Sequence, residues 1–387
     1  MPHNQYWLCG FSFNCPSPRP FPSMGMETNA TTNWRRHTPS RHSLPIEGEG
    51  WGEGPLFYIM FSFQELTDKV NEYIESNPYK QEPQGLYEPI NYILSLGGKR
   101  VRPVLMLMAY NMYKDDIETI LGNAIAIETY HNFTLLHDDL MDKSDLRRGN
   151  QTVHKKWDEN TAILSGDAML ILAYKLFAAS TNNELQGVMQ HAQKTFIDAT
   201  LAVCDGQQYD MEFEKRNNVT EAEYMEMIRL KTSVLLAGAL KIGAQLANAP
   251  ERDSDLLYNF GEKIGLAFQL QDDILDVYGD TKVFQKKLGA DIVDNKKTFL
   301  LIKALERAEG KDKEELLNWI SGTNFDPEEK ISAVKAIYDK VNIKEITDEC
   351  INQLFAEAIS SLNDVNVAED KKAVLHEFAN KLLKRKY

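Results

Sequence analysis

The sequence predicts an all-α fold, a bundle of helices around a deep central cavity. From Phe61 to the C terminus, apolar residues recur at spacings of three and four, which is the period of an α-helix. No segment alternates apolar and polar residues as a half-buried strand does, and no repeat of fixed length is visible. Hydrophobic residues make up 43% of the 387 residues, which is enough to bury a sizeable core.

The predicted helices follow one another along the chain and are separated by turn sequences. They cover residues 62–76, 86–113, 117–143, 160–180, 184–213, 220–248 and 253–279, with several shorter helices between 296 and 384. The separating turns read NPYKQEPQG, RRGNQT, KRNNVT, NAPERD and SGTNFDPEE. One large helical domain therefore accounts for most of the chain.

Residues 1–59 differ from this domain, because Pro, Ser, Gly, Asn and Arg dominate and no apolar period persists. We expect them to be a disordered or non-native N-terminal extension, and residues 60–387 to be the functional domain. Met60, which opens MFSFQELTDKVNEYI, is the preferred biological start. A transit peptide is the alternative, against which the repeated prolines count. Removing residues 1–59 is expected to leave activity intact.

Charge and composition exclude several classes of partner. A net charge of -14 argues against broad attraction to nucleic acid or to an anionic membrane surface, so an anionic substrate needs a local basic cluster or a bound metal. Cys9, Cys15, Cys204 and Cys350 form no CxxC pair and no zinc spacing, so a cytoplasmic location is expected. No stretch approaches about 18 consecutive apolar residues, so stable membrane insertion is not expected.

The first acidic motif is HDDLMDKSDLRRG, which contains Asp138, Asp139 and Asp142. Residues four apart share a helix face, so Asp138 and Asp142 project together while Asp139 lies about 100° around the helix. Paired carboxylates on one face are costly unless a cation or solvent compensates them. Taken alone, this motif is better explained as a solvated acidic helix end than as a binding site.

The same spacing recurs in FQLQDDILDVYGD, as Asp272, Asp273 and Asp276, among apolar neighbours that place this helix largely in the core. Two such faces on different helices predict oxygen-ligand metal sites. Carboxylates with no His or Cys companion suit Mg²⁺, which keeps waters and shares substrate phosphates. The two motifs therefore predict a diphosphate that bridging metal holds between them.

A basic motif, GGKRVRP, supplies Lys99, Arg100 and Arg102 after two glycines that permit a tight turn, and Pro103 suits the first turn of a new helix. The helix dipole disfavours cations at an N terminus unless an anion joins them, so the motif predicts phosphate binding. An exposed basic loop is the alternative explanation.

Further cations lie beside the acidic motifs. Arg147 and Arg148 directly follow the first motif, and their forked donors suit bidentate contacts with phosphate. The other candidates are Lys231 with Thr232, Lys287 and Lys296. Each lysine taken alone is better explained as a surface residue, but the position beside an acidic helix favours phosphate binding.

Three more polar residues are candidates by position. His131 lies two helical turns before Asp138, and with Lys99 and Arg102 it would complete a second, metal-free diphosphate site. Gln207 and Asp210 belong to GQQYD; if their helix lines the same cavity, Gln207 could donate to phosphate and Asp210 could support metal. The alternatives are a satisfied core histidine and two ordinary polar helix residues.

Together these motifs resemble the trans-isoprenyl diphosphate synthases, the polyprenyl synthetase family. The similarity covers roughly residues 85–300, with GGKRVRP, LLHDDLMD, RRG, GQQYD, KT and FQLQDDILDVYGD in the family's order. It implies an isoprenoid synthase-type bundle, a homodimer and three magnesium ions. The implied reaction joins isopentenyl diphosphate in trans to an allylic diphosphate, whose prenyl group is dimethylallyl, geranyl or farnesyl.

The resemblance also assigns roles to individual residues. Metal ligands that hold the allylic diphosphate are Asp138, Asp142 and Asp272. The isopentenyl diphosphate site maps onto Lys99, Arg102, His131 and Arg148. The allylic side maps onto Arg147, Lys231, Thr232, Gln269, Lys287 (or the adjacent Lys286) and Lys296.

The mechanism that the resemblance implies uses no side-chain base. Magnesium and the cations stabilise the departing diphosphate, the allylic group ionises, and the double bond of isopentenyl diphosphate attacks the carbocation. The released diphosphate then removes the proton. Thr232 and Gln269 are expected to aim oxygen dipoles at the carbocation, while Lys231 neutralises the leaving group.

Product length is predicted from the helix that carries the first acidic motif. Phe133 lies five residues before Asp138, where its ring can form the floor of the pocket, whereas Thr134 is small. With no insertion inside DDLMD, the pattern resembles short-chain synthases that make the twenty-carbon geranylgeranyl product. A fifteen-carbon farnesyl product is the nearest alternative for the product. For Phe133, the alternative is that the ring only packs in the core.

Two other classes remain as alternatives. A terpene cyclase also uses an aspartate-rich helix, but it would normally carry an NSE-type second motif and lack GGKRVRP. A non-catalytic partner subunit would usually have lost one acidic motif, and both are intact here.

Overall fold

The structure is a computed structural model, which describes residues 60–179, 185–279, 288–322 and 324–383. The N-terminal extension at 1–59 and the candidate ligand Lys287 lie outside these ranges. The predicted division of the chain at Met60 therefore stays a prediction.

The described residues are almost entirely helical, so the all-α prediction is confirmed. The first helices are α1 Phe63–Ser76, α2 Gln84–Ser95, α3 Val101–Asn111, α4 Leu121–Met141, α5 Val153–Lys156, α6 Glu159–Ala179, α7 Met189–Glu214 and α8 Glu221–Ile228. They are followed by α9 Val234–Leu246, α10 Glu251–Tyr278, α11 Ala290–Val293, α12 Phe299–Arg307, α13 Gly310–Ser321, α14 Pro327–Lys340, α15 Ile343–Asn363 and α16 Glu369–Leu383. Shorter elements are a 3-10 turn at Ile117–Ile120, a π-helical turn at Arg229–Ser233, and strands β1 Leu146–Arg147 and β2 Asn150–Gln151.

The prediction of one helix over 86–113 is wrong, because the chain breaks into α2 and α3. Gly97, Gly98 and Arg100 all have positive φ angles, of 76°, 132° and 47°. A right-handed helix cannot pass through this left-handed backbone. The break creates a fresh helix N terminus at Val101, immediately after the basic residues of GGKRVRP.

The prediction of a regular helix over 220–248 is also wrong, because the π-helical turn at Arg229–Ser233 separates α8 from α9. Glycines on two neighbouring helices receive this turn. A Cβ on Gly206 of α7 would lie 2.2 Å from the Lys231 nitrogen, and a Cβ on Gly265 of α10 would lie 2.7 Å from the Ser233 Cα. Tertiary packing of this kind is invisible to apolar periodicity.

The core is built around α9. Its sequence, VLLAGALKIGAQL, is apolar apart from Lys241 and Gln245, which share one face, and 11 of its residues are buried; such a helix lies inside a bundle with that one face partly exposed. It packs against α3, α7 and α10, while α4 packs against α3 and α6. Of the two long helices that carry the acidic motifs, α10 packs directly on α9, and α4 is joined to α9 through α3.

Among the described residues, one helix is long and apolar enough to cross a membrane by length and composition alone. It is α6, Glu159–Ala179, which is only partly buried. Apolar core helices pass the same test, so this is weak support for a span. The exposed apolar side chains of α6 need another explanation.

Candidate active site

The GGKRVRP loop is joined to the RRG turn by direct contact. Arg148 donates from Nη1 to the carbonyl oxygen of Gly97. A Cβ on Gly98 would lie 2.7 Å from the guanidinium carbon of Arg148, and the φ angle of 132° at this position favours glycine. Arg102, on the first turn of α3, lies 3.0 Å from His131, measured between Nη1 and Nε2. The structure thus brings the predicted residues Arg102, His131 and Arg148 to one end of the bundle.

Electrostatics at this end favour an anion. Burial lowers the pKa of Arg102 to about 10, although nearby Glu128 partly opposes the shift. Burial also lowers the pKa of His131 well below its ordinary value, and the positive charges of Arg102 and Arg148 lower it further. His131 is therefore neutral near pH 7 and its Nε2 can accept from Arg102. A diphosphate would relieve the excess positive charge.

A buried ion pair lies directly beneath the basic loop. Arg100 donates from Nη1 to Glu128 Oε1 at 2.6 Å, and both side chains are almost fully buried. The same guanidinium donates to Asn71 Oδ1 at 3.0 Å and to the Leu94 carbonyl at 2.8 Å. Asn132 donates to Glu128 Oε1 at 3.0 Å. Arg100, which the sequence groups with the phosphate-binding cations, instead connects the loop to α1, α2 and α4.

The RRG turn sends its two arginines to different partners. Arg148 and Gly149 have φ angles of 53° and 77° at the tip of the β1–β2 hairpin, as in a two-residue turn of the I′ type. Arg147 turns back to Asp139, to which it donates at 2.6 Å from Nη2, and lies 3.9 Å from Asp138. Arg148 reaches the glycine loop. The hairpin therefore connects the first acidic motif to the basic loop.

Within the first acidic motif the three carboxylates have different surroundings. Asp139 is buried against Arg147, whereas Asp138 is partly exposed and Asp142 follows the last turn of α4. Asp142 is exposed, yet desolvation by its neighbours and the negative charge of Asp138 raise its pKa, while Lys231 and Lys296 oppose the shift. The predicted common face of Asp138 and Asp142 is thus open to a cation.

Lys231, on the π-helical turn, bridges two acidic residues. Its Nζ lies 2.6 Å from Asp210 and 3.3 Å from Asp138. Burial disfavours the charge of Lys231, but the carboxylates of Asp210 and Asp138 outweigh burial and raise its pKa. The neighbouring Thr232 donates to Gln269 Oε1 of α10 at 3.3 Å. Widened turns of this kind occur often at functional sites.

The second acidic motif repeats the pattern of the first, with its middle carboxylate buried. Tyr224 and Gln269 donate to opposite oxygens of Asp273, the latter at 3.3 Å. Burial raises the pKa of Asp273 to about 7, although the bond from Tyr224 opposes the shift. Burial, with the nearby charge of Asp291, raises the pKa of Asp276 to about 6. Asp272 lies half-buried on the same helix.

Lys296 connects the two acidic motifs electrostatically. Its side chain is exposed, and although desolvation by its neighbours opposes its charge, four carboxylates outweigh this effect and raise its pKa; they are Asp291, Asp210, Asp273 and Asp138. One of these belongs to each acidic motif. The motifs on α4 and α10 therefore lie around a common space that Lys231 and Lys296 also border.

The predicted metal ligands provide a suitable donor set without forming a closed site. Among the described residues, no group of three or more His, Cys, Asp or Glu side chains is assembled as a complete metal site. Desolvation raises the pKa of Asp142 and of Asp276, and nearby lysines oppose these shifts only in part, so a bound cation would stabilise both carboxylates further. Hard oxygen donors with open positions fit Mg²⁺, which is usually completed by water and substrate phosphate. Asp273 accepts hydrogen bonds on both oxygens, and its role as a ligand stays a prediction.

A cavity of about 560 Å³ joins the basic loop to the π-helical turn. Its lining includes Gly98, Lys99, Arg102, Thr232 and Phe268. Leu236, Ile264, Phe63 and Phe378 add apolar surface. Predicted residues for isopentenyl diphosphate and for carbocation stabilisation thus line one partly open cavity.

The remaining candidates are placed as follows. Phe133 is 9% exposed and packs between Tyr130 and His137, with ring centroids 5.4 and 4.9 Å away. Thr134 donates to the His131 carbonyl at 2.8 Å, so its hydroxyl is used within α4. The Gln207 amide lies 3.8 Å from the Met141 sulfur, beside the end of α4.

Two functional neighbours were missed at the level of sequence. Glu128 stands alone as a charge in the apolar run AIAIETY, and that isolation could have signalled a buried partner. Tyr224, whose hydroxyl binds Asp273, is one of 16 tyrosines, and no sequence signal separates it from the rest.

Comparison with known proteins agrees with this geometry. The sequence profile of the polyprenyl synthetase family matches residues 83–341. A short chain isoprenyl diphosphate synthase from Methanocaldococcus jannaschii is 36% identical over 329 residues, which cover 85% of this chain and 97% of that protein. A crystal structure of a geranylgeranyl pyrophosphate synthase has 42% identity and a TM-score of 0.79, covering 85% of this chain and all of the other.

A third similar protein carries ligands. The polyprenyl synthase from Caulobacter crescentus, solved in complex with calcium and isoprenyl diphosphate, has 26% identity and a TM-score of 0.73, covering 84% of this chain and 96% of that one. The similarity thus extends over the whole helical domain, through both acidic motifs and the basic loop. The chain belongs to the polyprenyl synthetase family.

Proposed function

We propose that this protein is a short-chain trans-prenyltransferase that condenses isopentenyl diphosphate with an allylic diphosphate. The observation that carries this proposal is the shared cavity, which Lys99 and Arg102 line together with Thr232. Two diphosphates can then lie side by side, one at the basic loop and one between the acidic motifs. Their prenyl parts would meet in the apolar section of the cavity.

Each side chain acts on a particular part of this arrangement. Arg102 and neutral His131 orient the diphosphate of the attacking substrate, together with Arg148. Lys231 supplies positive charge where the allylic diphosphate departs. The Thr232 hydroxyl and the Gln269 amide oxygen present dipoles at the end of the cavity where positive charge develops. Apolar walls exclude water that would otherwise capture the carbocation.

The proposal includes Mg²⁺ as the cofactor, with three ions when substrate is bound. Asp138, Asp142, Asp210, Asp272 and Asp276 would hold it. Asp138 and Asp210 contact Lys231, the charges of Asp142 and Asp276 interact with Lys296, and Asp272 lies half-buried on the same helix as Asp276. Bound there, magnesium would neutralise the allylic diphosphate and assist its departure. The calcium complex of the Caulobacter crescentus relative supports a divalent cation in this family.

Geranylgeranyl diphosphate is the proposed product, and farnesyl diphosphate is a shorter candidate. The named geranylgeranyl pyrophosphate synthase structure supports the longer product. Phe133 supports a limit on length, because its ring fills the space between Tyr130 and His137 on the helix along which the tail would grow. Dimethylallyl, geranyl and farnesyl diphosphates are the proposed allylic substrates.

We also propose a homodimer through α6 and α7. Leu164 and Ile171, seven residues apart on α6, are 61% and 67% exposed. Ile197 and Leu201 form a similar stripe on α7, which is joined to α6 by a 2.6 Å bond between the hydroxyls of Tyr174 and Thr200. Contiguous exposed apolar side chains mark interaction surfaces, and a second copy would cover both stripes.

A cytoplasmic setting completes the proposal. Of the four cysteines, Cys204 and Cys350 lie in the described part of the chain, and both are free thiols. Free thiols persist most easily in a reducing compartment.

The direct test is a product assay. Purified protein is incubated with magnesium, labelled isopentenyl diphosphate and each of the three allylic diphosphates, and the products are separated by chain length. We expect a twenty-carbon product with the wild type and turnover lower by orders of magnitude in Asp138→Ala and Asp272→Ala. Circular dichroism checks that both variants stay folded. An inactive, folded and magnesium-loaded wild type would reject the proposal.

A further inference from the structure

We propose that Lys330, a buried lysine on α14, is a positioning residue that fixes Lys296 for the allylic diphosphate. This inference rests on the proposed function. Lys330 lies 34 residues beyond Lys296 and belongs to none of the motifs that identify the family. Its side chain nevertheless ends beneath the second acidic motif.

The ammonium group of Lys330 is bound to the turn that presents Lys296. Its Nζ donates to the Val293 carbonyl at 2.9 Å and to Asn295 Oδ1 at 2.8 Å. Asn295 has a φ angle of 54°, a left-handed conformation that needs support from its surroundings. The next residue is Lys296, whose own backbone nitrogen donates to the Asp291 carbonyl at 2.9 Å. Lys330 therefore stabilises the turn at residues 293–296 through hydrogen bonds from α14.

The surroundings explain why this support matters. Lys330 lines a small enclosed cavity of about 10 Å³ together with Asp273, Asp291 and Tyr338, so it lies directly under α10. Lys296 is drawn toward carboxylates of both acidic motifs. If the turn could rotate freely, the ammonium group of Lys296 would form ion pairs with these carboxylates instead of facing the substrate. A fixed turn holds the charge where an arriving diphosphate needs it.

A purely structural role is the competing explanation, and the chain contains a matched control. Lys372 on α16 is 2% exposed, compared with 4% for Lys330. It also makes two bonds, to the Asn363 carbonyl at 2.7 Å and to Glu369 at 2.9 Å. Those partners join α15 to α16 and lie outside the candidate site. Replacing either lysine by methionine removes one buried ammonium and two hydrogen bonds.

The experiment compares Lys330→Met with Lys372→Met in the full-length protein. Stability is measured by urea denaturation, and KM is measured separately for geranyl diphosphate and isopentenyl diphosphate. Binding of geranyl thiolodiphosphate, an unreactive allylic analogue, is measured with magnesium present. We expect both variants to lose stability, but only Lys330→Met to raise the KM and the Kd on the allylic side, by about 10- to 100-fold. Its KM for isopentenyl diphosphate should change less than about twofold.

A double-mutant cycle with Lys296→Met shows whether Lys330 acts through Lys296. We expect Lys330→Met to add almost nothing to the binding defect of Lys296→Met, whereas independent residues would add their effects. Equal kinetics in Lys330→Met and Lys372→Met, or full additivity in the cycle, would overturn the proposal while the wild type stays active. An inactive wild type would instead reject the proposed function, and the binding measurement would still test Lys330.

Discussion

Arg100 and Glu128 form a 2.6 Å ion pair in the interior, directly under the loop that carries Lys99. Neither side chain reaches solvent, and Arg100 itself adopts a left-handed backbone with a φ angle of 47°. The loop is therefore anchored through the side chain of a residue that its own sequence groups with the substrate-binding cations. The charge of Arg100 therefore stabilises the conformation of the loop.

Removing one partner of this pair should be far more damaging than removing both. We expect Arg100→Met or Glu128→Met to lower the free energy of unfolding by about 3–5 kcal/mol, because each leaves an uncompensated buried charge. The double variant should recover most of that loss. Urea denaturation of the four proteins measures the coupling. Losses that simply add would mean that the pair contributes no interaction energy.

The same double variant should separate the two substrates. Without Arg100 the glycine loop loses its anchor to α4, so we expect the KM for isopentenyl diphosphate to rise about tenfold or more while the KM for the allylic substrate stays nearly constant. Steady-state kinetics with each substrate varied in turn measures this. A parallel rise in both constants would contradict a local role for the loop.

Lys231→Met should lower kcat by about 100- to 1,000-fold, because it removes a cation from the place where the diphosphate leaves. Lys241→Met is the matched control. Lys231 and Lys241 are both 26% exposed and both pair with an aspartate at 2.6 Å, but Lys241 pairs with Asp255 on the outer side of α10. The control should stay within about twofold of the wild type. Similar losses in both variants would remove Lys231 from the reaction.

Phe133→Ala should shift the products to longer chains, because removal of the ring opens space along α4 beyond Tyr130. The control is Phe177→Ala, which removes a fully buried ring stacked on Phe196 at 4.6 Å. Both variants should lose about 3–5 kcal/mol of stability. Product length, read by chromatography after dephosphorylation, should change only in Phe133→Ala. An unchanged spectrum would make Phe133 a plain core residue.

Asp273 should make stability fall as the pH rises. Burial raises its pKa from 3.8 to about 7 in the folded protein, so between these values the folded chain retains a proton that the unfolded chain has released. Relative to Asp273→Asn, which cannot ionise, the wild type should lose up to about 1.4 kcal/mol per pH unit from about pH 4 to pH 7. The stability difference should then level off above pH 7.

Urea denaturation in the presence of a chelator measures this pH dependence. Asp255→Asn, at a half-exposed carboxylate, serves as the control and should follow the wild type across the range. Parallel curves for the wild type and Asp273→Asn would show that Asp273 ionises normally in the folded protein.

Leu164→Glu combined with Ile171→Glu should convert a dimer into a monomer, because two charges would face two charges across a symmetric interface. Leu317→Glu, at another exposed leucine on α13, is the control and should leave the assembly unchanged. Sedimentation velocity reads the mass directly. A wild type that sediments as a monomer would remove the dimer from the proposal.

The sequence predicted most of this fold because helix formation depends on a local apolar period. The two wrong boundaries have different causes. The break before α3 has a local signal in Gly97, Gly98 and Pro103, which apolar periodicity does not register. The π-helical turn depends on Gly206 and Gly265 of other helices, and periodicity within a segment contains no information on such contacts.

The site shows the same division between local and distant information. Spacing correctly predicted that Asp138 and Asp139 point in different directions, and it placed Lys231 near acidic groups. It could not show that Arg147 and Arg148 bind different partners on either side of a turn. Nor could it show that Lys330 on α14 contacts the turn before Lys296. Lys287 lies outside the described residues, and its role stays a prediction.

The glycines on both sides of Arg229–Ser233 have a consequence for protein engineering. Any larger residue at Gly206 or Gly265 would collide with backbone atoms, and backbone cannot move aside as the end of a flexible side chain can. Variant libraries aimed at new substrates should therefore leave these two positions untouched and diversify the cavity wall at Leu236, Ile264 and Phe268. Lys231 and Thr232 would then keep their orientation while the size of the cavity changes.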